Sequence, residues 1–127
     1  MANRLYPKGA EKILSGSVNL TSDTIKVALL SDAYIYSASH EFLSDVSASA
    51  LNTAQTLASK SVTSGVFDAA DVVYSAVASG ANARYLAIYK DTGVAGTSSL
   101  LHFVDTVTGL PMATNGGDIT EIGRAHV

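Results

Sequence analysis

The sequence predicts a mainly β domain, an antiparallel sandwich or barrel-like fold with a short N-terminal helix. Three observations predict it. Runs rich in β-branched, aromatic and other apolar residues recur at 24–30, 70–77, 84–90 and 99–105, the composition that suits a pleated, half-buried surface. Glycine-bearing turns separate them, among them Ser79-Gly80-Ala81-Asn82 and Asn115-Gly116-Gly117-Asp118. No helical pattern alternates with the strands, which excludes a parallel sheet built from strand–helix–strand units.

The first element is the helix. Asn3 is placed to cap it, since its side chain can accept from an early amide. Leu5, Tyr6, Ala10, Ile13 and Leu14 fall on one face, Pro7 fits the first turn, and Gly16 is a stop. Residues 24–30 follow as a strand, with 17–20 as a partner across the turn Thr21-Ser22-Asp23. Residues 31–59 show no lasting period. Tyr34 and Tyr36 share a face if extended, His40 to Leu43 can form one helical turn capped by Ser39, and Leu51 and Leu57 place the remainder over a core. A long loop of this kind is expected to be a binding or lattice-contact segment.

The β pattern returns at Lys60. Ser61-Val62-Thr63 and Val66-Phe67 flank Gly65, and Ala70 to Val77 reads as a strand. Arg84 to Lys90 is the most regular, with Leu86 and Ile88 on one face and Tyr85 and Tyr89 on the other. Ser99 to Asp105 runs back beside it as a hairpin. Thr108-Gly109-Leu110-Pro111 is a further turn, and Ile119 opens a last strand. Residues 121–127, Glu-Ile-Gly-Arg-Ala-His-Val, resemble the in-frame translation of a common short-read sequencing adapter. They are expected to be an artefactual tail, with a single domain over 1–120 and the last strand cut short.

Composition bounds function. The 127 residues are room for one core. Hydrophobic residues make up 47% and charged residues 15%, which excludes whole-chain disorder. A net charge of −3 with no basic stripe predicts no nucleic-acid partner. Apolar runs of a few residues predict no membrane partner, and the start lacks the apolar core of a secretory signal. There is no cysteine, so disulfides, thiolate metal sites and cysteine nucleophiles are excluded.

No catalytic, cofactor-binding or metal residues are predicted. Neither Gly-x-Ser-x-Gly nor the lactamase set is present. His40-Glu41 beside Asp45 reads as a polar helical turn rather than an acid–base or metal cluster. His102 reads as a solvent-facing or partly packed strand residue, and His126 belongs to the suspect tail. Asp68, Asp71, Asp91, Asp105 and Asp118 suit turns, and Asp68-Ala-Ala-Asp71 lacks the spacing of a calcium loop. Asn19-Leu20-Thr21 fits the glycosylation sequon by chance. Gly93-Val-Ala-Gly96 has no following Gly-Lys-Ser/Thr and is not a phosphate loop. The tyrosines serve packing and interfaces alike.

Several segments carry a resemblance. Ala2-Asn3-Arg4-Leu5-Tyr6-Pro7-Lys8-Gly9, Asp23-Thr24-Ile25-Lys26-Val27, His40-Glu41-Phe42-Leu43-Ser44-Asp45, Ile88-Tyr89-Lys90-Asp91-Thr92-Gly93, Thr108-Gly109-Leu110-Pro111 and Asn115-Gly116-Gly117-Asp118-Ile119 occur in this order. Together they resemble a family of small virion structural proteins of tailed bacteriophages and prophages, of the head-decoration or tail-associated kind. Segment 46–59 matches more weakly. Family members look as if they continue after Gly-Gly-Asp-Ile with a tryptophan-containing strand, and this chain has no tryptophan. The resemblance implies a noncatalytic protein without cofactors, located in the virion. It implies binding to phage capsid or tail proteins and a homo-oligomer, with the Met1–Ser15 arm or the 31–59 loop gripping a neighbour. The alternative is a glycan- or receptor-binding module of a tail fibre, with Tyr34 and Tyr36 stacking on sugar rings. A cell-wall hydrolase using Glu41 and an aspartate would need two carboxylates at a defined separation.

Overall fold

The computed structural model describes residues 4–105, 110 and 112–126. The chain is mainly β and its strands pair antiparallel, as the composition predicts. Its elements are β1 (Arg4–Leu5), α1 (Pro7–Leu14), β2 (Ile25–Ser31), β3 (Ala50–Thr56), β4 (Ser61–Thr63), β5 (Val66–Tyr74), β6 (Asn82–Lys90), β7 (Ser99–Val104), β8 (Met112–Ala113) and β9 (Ile119–His126). A large sheet runs β1-β7-β6-β2-β3, with β8 added to the end of β6. A smaller sheet runs β4-β5-β9.

The core between the sheets follows from the pleat. Val27 and Leu29 of β2 and Leu86 and Ile88 of β6 face Phe67, Val72 and Tyr74 of β5 and Ile119 of β9, all buried. The Tyr74 hydroxyl donates to the Val27 carbonyl at 2.8 Å, a buried bond from one sheet to the other. Burying these side chains is the main stabilising term of the sandwich. The opposite face of the large sheet is also covered. Ala28, Leu30, Ala87, Tyr89 and Leu100 lie beneath Tyr6, Tyr34 and Val46. This explains why β2 reads as a continuous apolar run after Lys26: alternation fades when both faces are buried.

The β6–β7 hairpin is present, from Lys90↔Ser99 to Leu86↔Val104. Ser64 (φ 51) and Gly65 (φ 78) join β4 to β5 in the left-handed region, as a two-residue hairpin loop requires. The helix ends at Ser15, whose N–H donates to the Glu11 carbonyl at 2.9 Å, and Gly16 follows with φ 84.

Several expectations are corrected. The Asn3 cap lies outside the described residues, as does most of the Thr108–Pro111 turn. The helix starts at Pro7 with Tyr6 at its N-cap, so Leu5 and Tyr6 are extended and do not share its face. Leu14 is 88% exposed instead of packed. Residues 17–20 are not a strand: the Asn19 side chain accepts from the amides of Thr21 and Ser22 and closes a turn. The partners of β2 are β6 and β3, and β3 lies inside the stretch that showed no period. The strand expected at 70–77 runs from Val66 to Tyr74. It ends where Ala76 (φ 50) donates its N–H to Asp118 Oδ1 at 2.8 Å. The helical turn expected at 40–43 lies at Leu43–Asp45, after Phe42 rather than Ser39. The last strand, β9, continues by backbone from Ile119 to His126 beside β5, with a register shift between Ala69 and Val72.

Candidate functional site

The outer face of the large sheet gathers aromatic rings. Tyr85 and Tyr89 of β6 point away from Leu86 and Ile88, as alternation along a strand demands, and both belong to the outer cluster. Phe103 of β7 lies among them. Its ring centroid is 5.0 Å from that of Tyr36, 5.2 Å from Tyr85, 5.8 Å from Tyr34 and 6.1 Å from Tyr6. These are the tilted and edge-on arrangements that ring quadrupoles favour.

Local turns deliver the remaining side chains. After β2 the Asp32 amide donates to the Asn82 carbonyl at 3.0 Å, and the Tyr34 amide donates to the Ser31 carbonyl at 3.2 Å. That tight turn lays Tyr34 and Tyr36 over Phe103. Tyr6 arrives from the β1–α1 junction, where its amide donates to the Leu101 carbonyl at 2.9 Å. Tyr34 Oη lies 2.9 Å from Tyr6 Oη and 2.7 Å from His40 Nδ1. Burial pushes the Tyr6 and Tyr34 hydroxyls above the ordinary tyrosine range.

A cleft of about 220 Å³ opens beside these rings, lined by Asp32, Tyr34, Ile35, Tyr36, Tyr85, Phe103 and Asp105. A neighbouring hollow of about 300 Å³ shares Asp32 and adds Asn82, Arg84, Met112 and Ala113. Polar side chains knit the rim. Asn82 Nδ2 donates to Asp32 Oδ2 at 3.1 Å, and Arg84 Nη2 lies 4.0 Å from Asp105 Oδ1. The Arg84 guanidinium stands 5.2 Å from the Tyr85 ring, and that of Arg4 stands 5.3 Å from Tyr36.

A second cleft, about 280 Å³, lies beside α1 and holds Lys12, Lys90 and the hydroxyls of Ser17, Thr92, Thr97 and Ser99. Each lysine there already meets a carboxylate: Lys12 Nζ is 2.9 Å from Glu41 Oε2, and Lys90 Nζ is 3.4 Å from Asp23 Oδ2. The cleft therefore offers no uncompensated positive charge to an anion.

The His40, Glu41 and Asp45 side chains do not converge. His40 meets Tyr34, Glu41 meets Lys12, and Asp45 Oδ2 accepts the amides of Glu41 and Phe42 at 2.8 and 3.0 Å. Those backbone bonds hold the Asp45 carboxyl below its ordinary range. The three residues form a polar turn. No group of three or more His, Asp or Glu among the described residues could hold a metal ion. His102 is buried, 5% exposed, so of the two expectations, solvent-facing or packed in its strand, the structure has it packed. It sits opposite Ile88 on one side and Leu5 on the other, in the middle of the sheet. Asp91 accepts an amide of its own turn as expected, Asp118 accepts instead from Ala76, 42 positions away, and Asp68 and Asp71 lie within β5, Asp71 in its bulge.

Tyr34 and Tyr36 were legible in the sequence as a same-side pair. Asp32, Asn82, Arg84 and Asp105 were not, because the β2–β6–β7 pairing alone brings them to one end of the sheet. The period-two placement of Tyr85 and Tyr89 was the signal for an aromatic outer face. A comparison with protein-family models and with curated proteins finds no match. No helix among the described residues is long and apolar enough to cross a membrane.

Proposed function

We propose that the chain is a noncatalytic virion structural protein of a tailed phage, of the capsid-decoration or tail-associated kind, that binds a repeating protein lattice and self-associates there. The sequence resemblance supports this setting. The observation that carries it is the position of the exposed apolar side chains. Leu14 is 88% exposed and Ile35 is 81% exposed. One ends the N-terminal arm and the other lies in the 31–59 loop, the two segments expected to grip a neighbour. Large apolar side chains held out from a rigid domain are what interface anchors require, and polar residues lie near each along the chain, Glu11 before Leu14 and Asp32 and Ser37 on either side of Ile35.

Mass spectrometry of purified particles from the phage or prophage that encodes the chain tests the setting. The protein is expected in the particles at a fixed stoichiometry, and its absence from them ends the proposal. Analytical ultracentrifugation tests the anchors: the double substitution Leu14→Ser, Ile35→Ser is expected to shift association to at least about tenfold higher concentration while the circular dichroism spectrum stays unchanged. If association is as strong in the variant, these two residues are not the anchors.

A further inference from the structure

The large sheet ends at β3. Among the described residues β3 pairs with β2 on one side and with no strand on the other. An open edge presents unpaired N–H and C=O groups to any extended chain, and charged side chains, prolines or very short strands normally blunt it. Other outer strands follow that rule. β1 is two residues long and contains Arg4, β4 is three residues long and follows Lys60, and β9 carries Glu121 and Arg124. β3 has seven residues, Ala50 to Thr56, with neither a charge nor a proline. Ala50, Asn52, Thr53 and Thr56 are exposed.

Side chains of the strand itself occupy its backbone. The register with β2 skips from Leu29↔Leu51 to Val27↔Gln55, which puts Thr53 in a bulge. A bulge leaves backbone groups without partners in the ladder. Here the Thr53 N–H donates to Asn52 Oδ1 at 2.7 Å, and the Thr53 carbonyl accepts from Gln55 Nε2 at 2.9 Å. Asn52 is itself held, with φ 61 and with Nδ2 donating to the Ser75 carbonyl at 2.6 Å. We propose that Asn52 and Gln55 guard this edge: they occupy both backbone groups of Thr53 and so keep β3 from pairing with β3 of a second copy. A second copy is the partner that an unguarded edge fits. Two β3 strands related by a two-fold axis run antiparallel, each offering what the other lacks, and a strand without charges sets no like charge against itself. Leu14 and Ile35 lie on other segments, so the guard does not depend on them.

The test is analytical ultracentrifugation of the full chain in the Leu14→Ser, Ile35→Ser background, which sets association through those two residues aside. Asn52→Gly keeps the left-handed backbone, and Gln55→Thr keeps a polar strand former that is too short to reach back to Thr53. Adding both is expected to bring association to a concentration at least about tenfold lower than in the parent, with amide-exchange protection gained across residues 50–56. A further Thr53→Lys is expected to reverse both effects, because it sets like charges together at the new contact. Association unchanged from the parent, protection gained elsewhere, or no reversal by Thr53→Lys would each overturn the guard. Gln55→Thr alone frees only the Thr53 carbonyl and is expected to give a smaller shift in the same direction. It carries the test if circular dichroism shows the doubly unguarded chain unfolded, and no shift there is equally fatal. A parent that still associates counts against the anchors and not against the guard, which is read from the difference between variant and parent.

Discussion

At the scale of single residues, the hydroxyl of Tyr34 stands out because a buried partner, Tyr6, and a half-buried one, His40, meet it. Replacing it with phenylalanine keeps the ring packing on Phe103 and leaves the Tyr6 hydroxyl and His40 Nδ1 without that partner. A buried polar group that loses its bond costs about 1–3 kcal/mol, so Tyr34→Phe is expected to lower the free energy of unfolding by that amount in urea denaturation. An unchanged midpoint would show that the chain of hydroxyls stabilises nothing. The same burial dictates a pH dependence. Tyr6 and Tyr34 are held above the ordinary tyrosine range, and burial pushes Tyr89 up to about 12. The unfolded chain releases these protons near pH 10, and the folded chain releases them later. From about pH 10 upward the unfolded state binds fewer protons, so stability is complete below that pH and is lost as pH rises toward 12. Tyr89→Phe is expected to flatten this alkaline decline, and a decline equally steep in that variant would contradict the assignment. None of this was legible in the sequence beyond the pairing of Tyr34 with Tyr36, since Tyr6 and Tyr34 are 28 positions apart.

At the scale of elements, the docking of α1 depends on one glycine. A Cβ at Gly9 would lie 2.2 Å from the Leu100 carbonyl oxygen and 2.7 Å from Leu101 Cα. Both are backbone atoms of β7, so neither can swing aside. Gly9→Ala gains about 1 kcal/mol of helix propensity, yet it must push the helix off the sheet at a cost of about 1–3 kcal/mol or more. The net expectation is destabilisation, read as a lower urea midpoint, and a higher midpoint would show that the helix can slide without penalty. The sequence pattern foresaw this helix through Pro7 at its start and Gly16 at its end, and β6 through the alternation of Arg84 to Lys90. It missed β3 because pairing with β2 shifts register between Val27 and Leu29. There Asn52 takes φ 61 and its Nδ2 donates to the Ser75 carbonyl. A bulge of this kind reverses the in–out alternation partway along the strand. Residues 17–20 failed in the opposite way: they alternate like a strand, but the Asn19 side chain offers the backbone a turn instead.

At the scale of the molecule, the two layers meet along the β5 and β9 side of the core, and the two halves of β9 contribute differently. Ile119 is 4% exposed and belongs to the inter-sheet core. Beyond it, residues 123–126 pair by backbone with the Val66–Ala69 half of β5. That half is already held on its other edge by β4, through Thr63↔Val66, Val62↔Phe67 and Ser61↔Asp68. A chain ending at Thr120 therefore keeps Ile119, keeps the register Tyr74↔Ile119, and leaves Val66–Ala69 with one neighbour rather than two. It is expected to unfold in a single cooperative transition at a melting temperature only a few degrees lower, on the order of 1 kcal/mol. Ile119→Ala in the full chain is expected to cost about 2–5 kcal/mol, because it opens a cavity between the sheets. Differential scanning calorimetry on the two variants separates the cases. If the shortened chain loses its transition while Ile119→Ala keeps it, residues 121–126 belong to the folding unit and the boundary at 120 is wrong. If the order of effects is as expected, the sandwich closes through Ile119, and the backbone after it is an added edge.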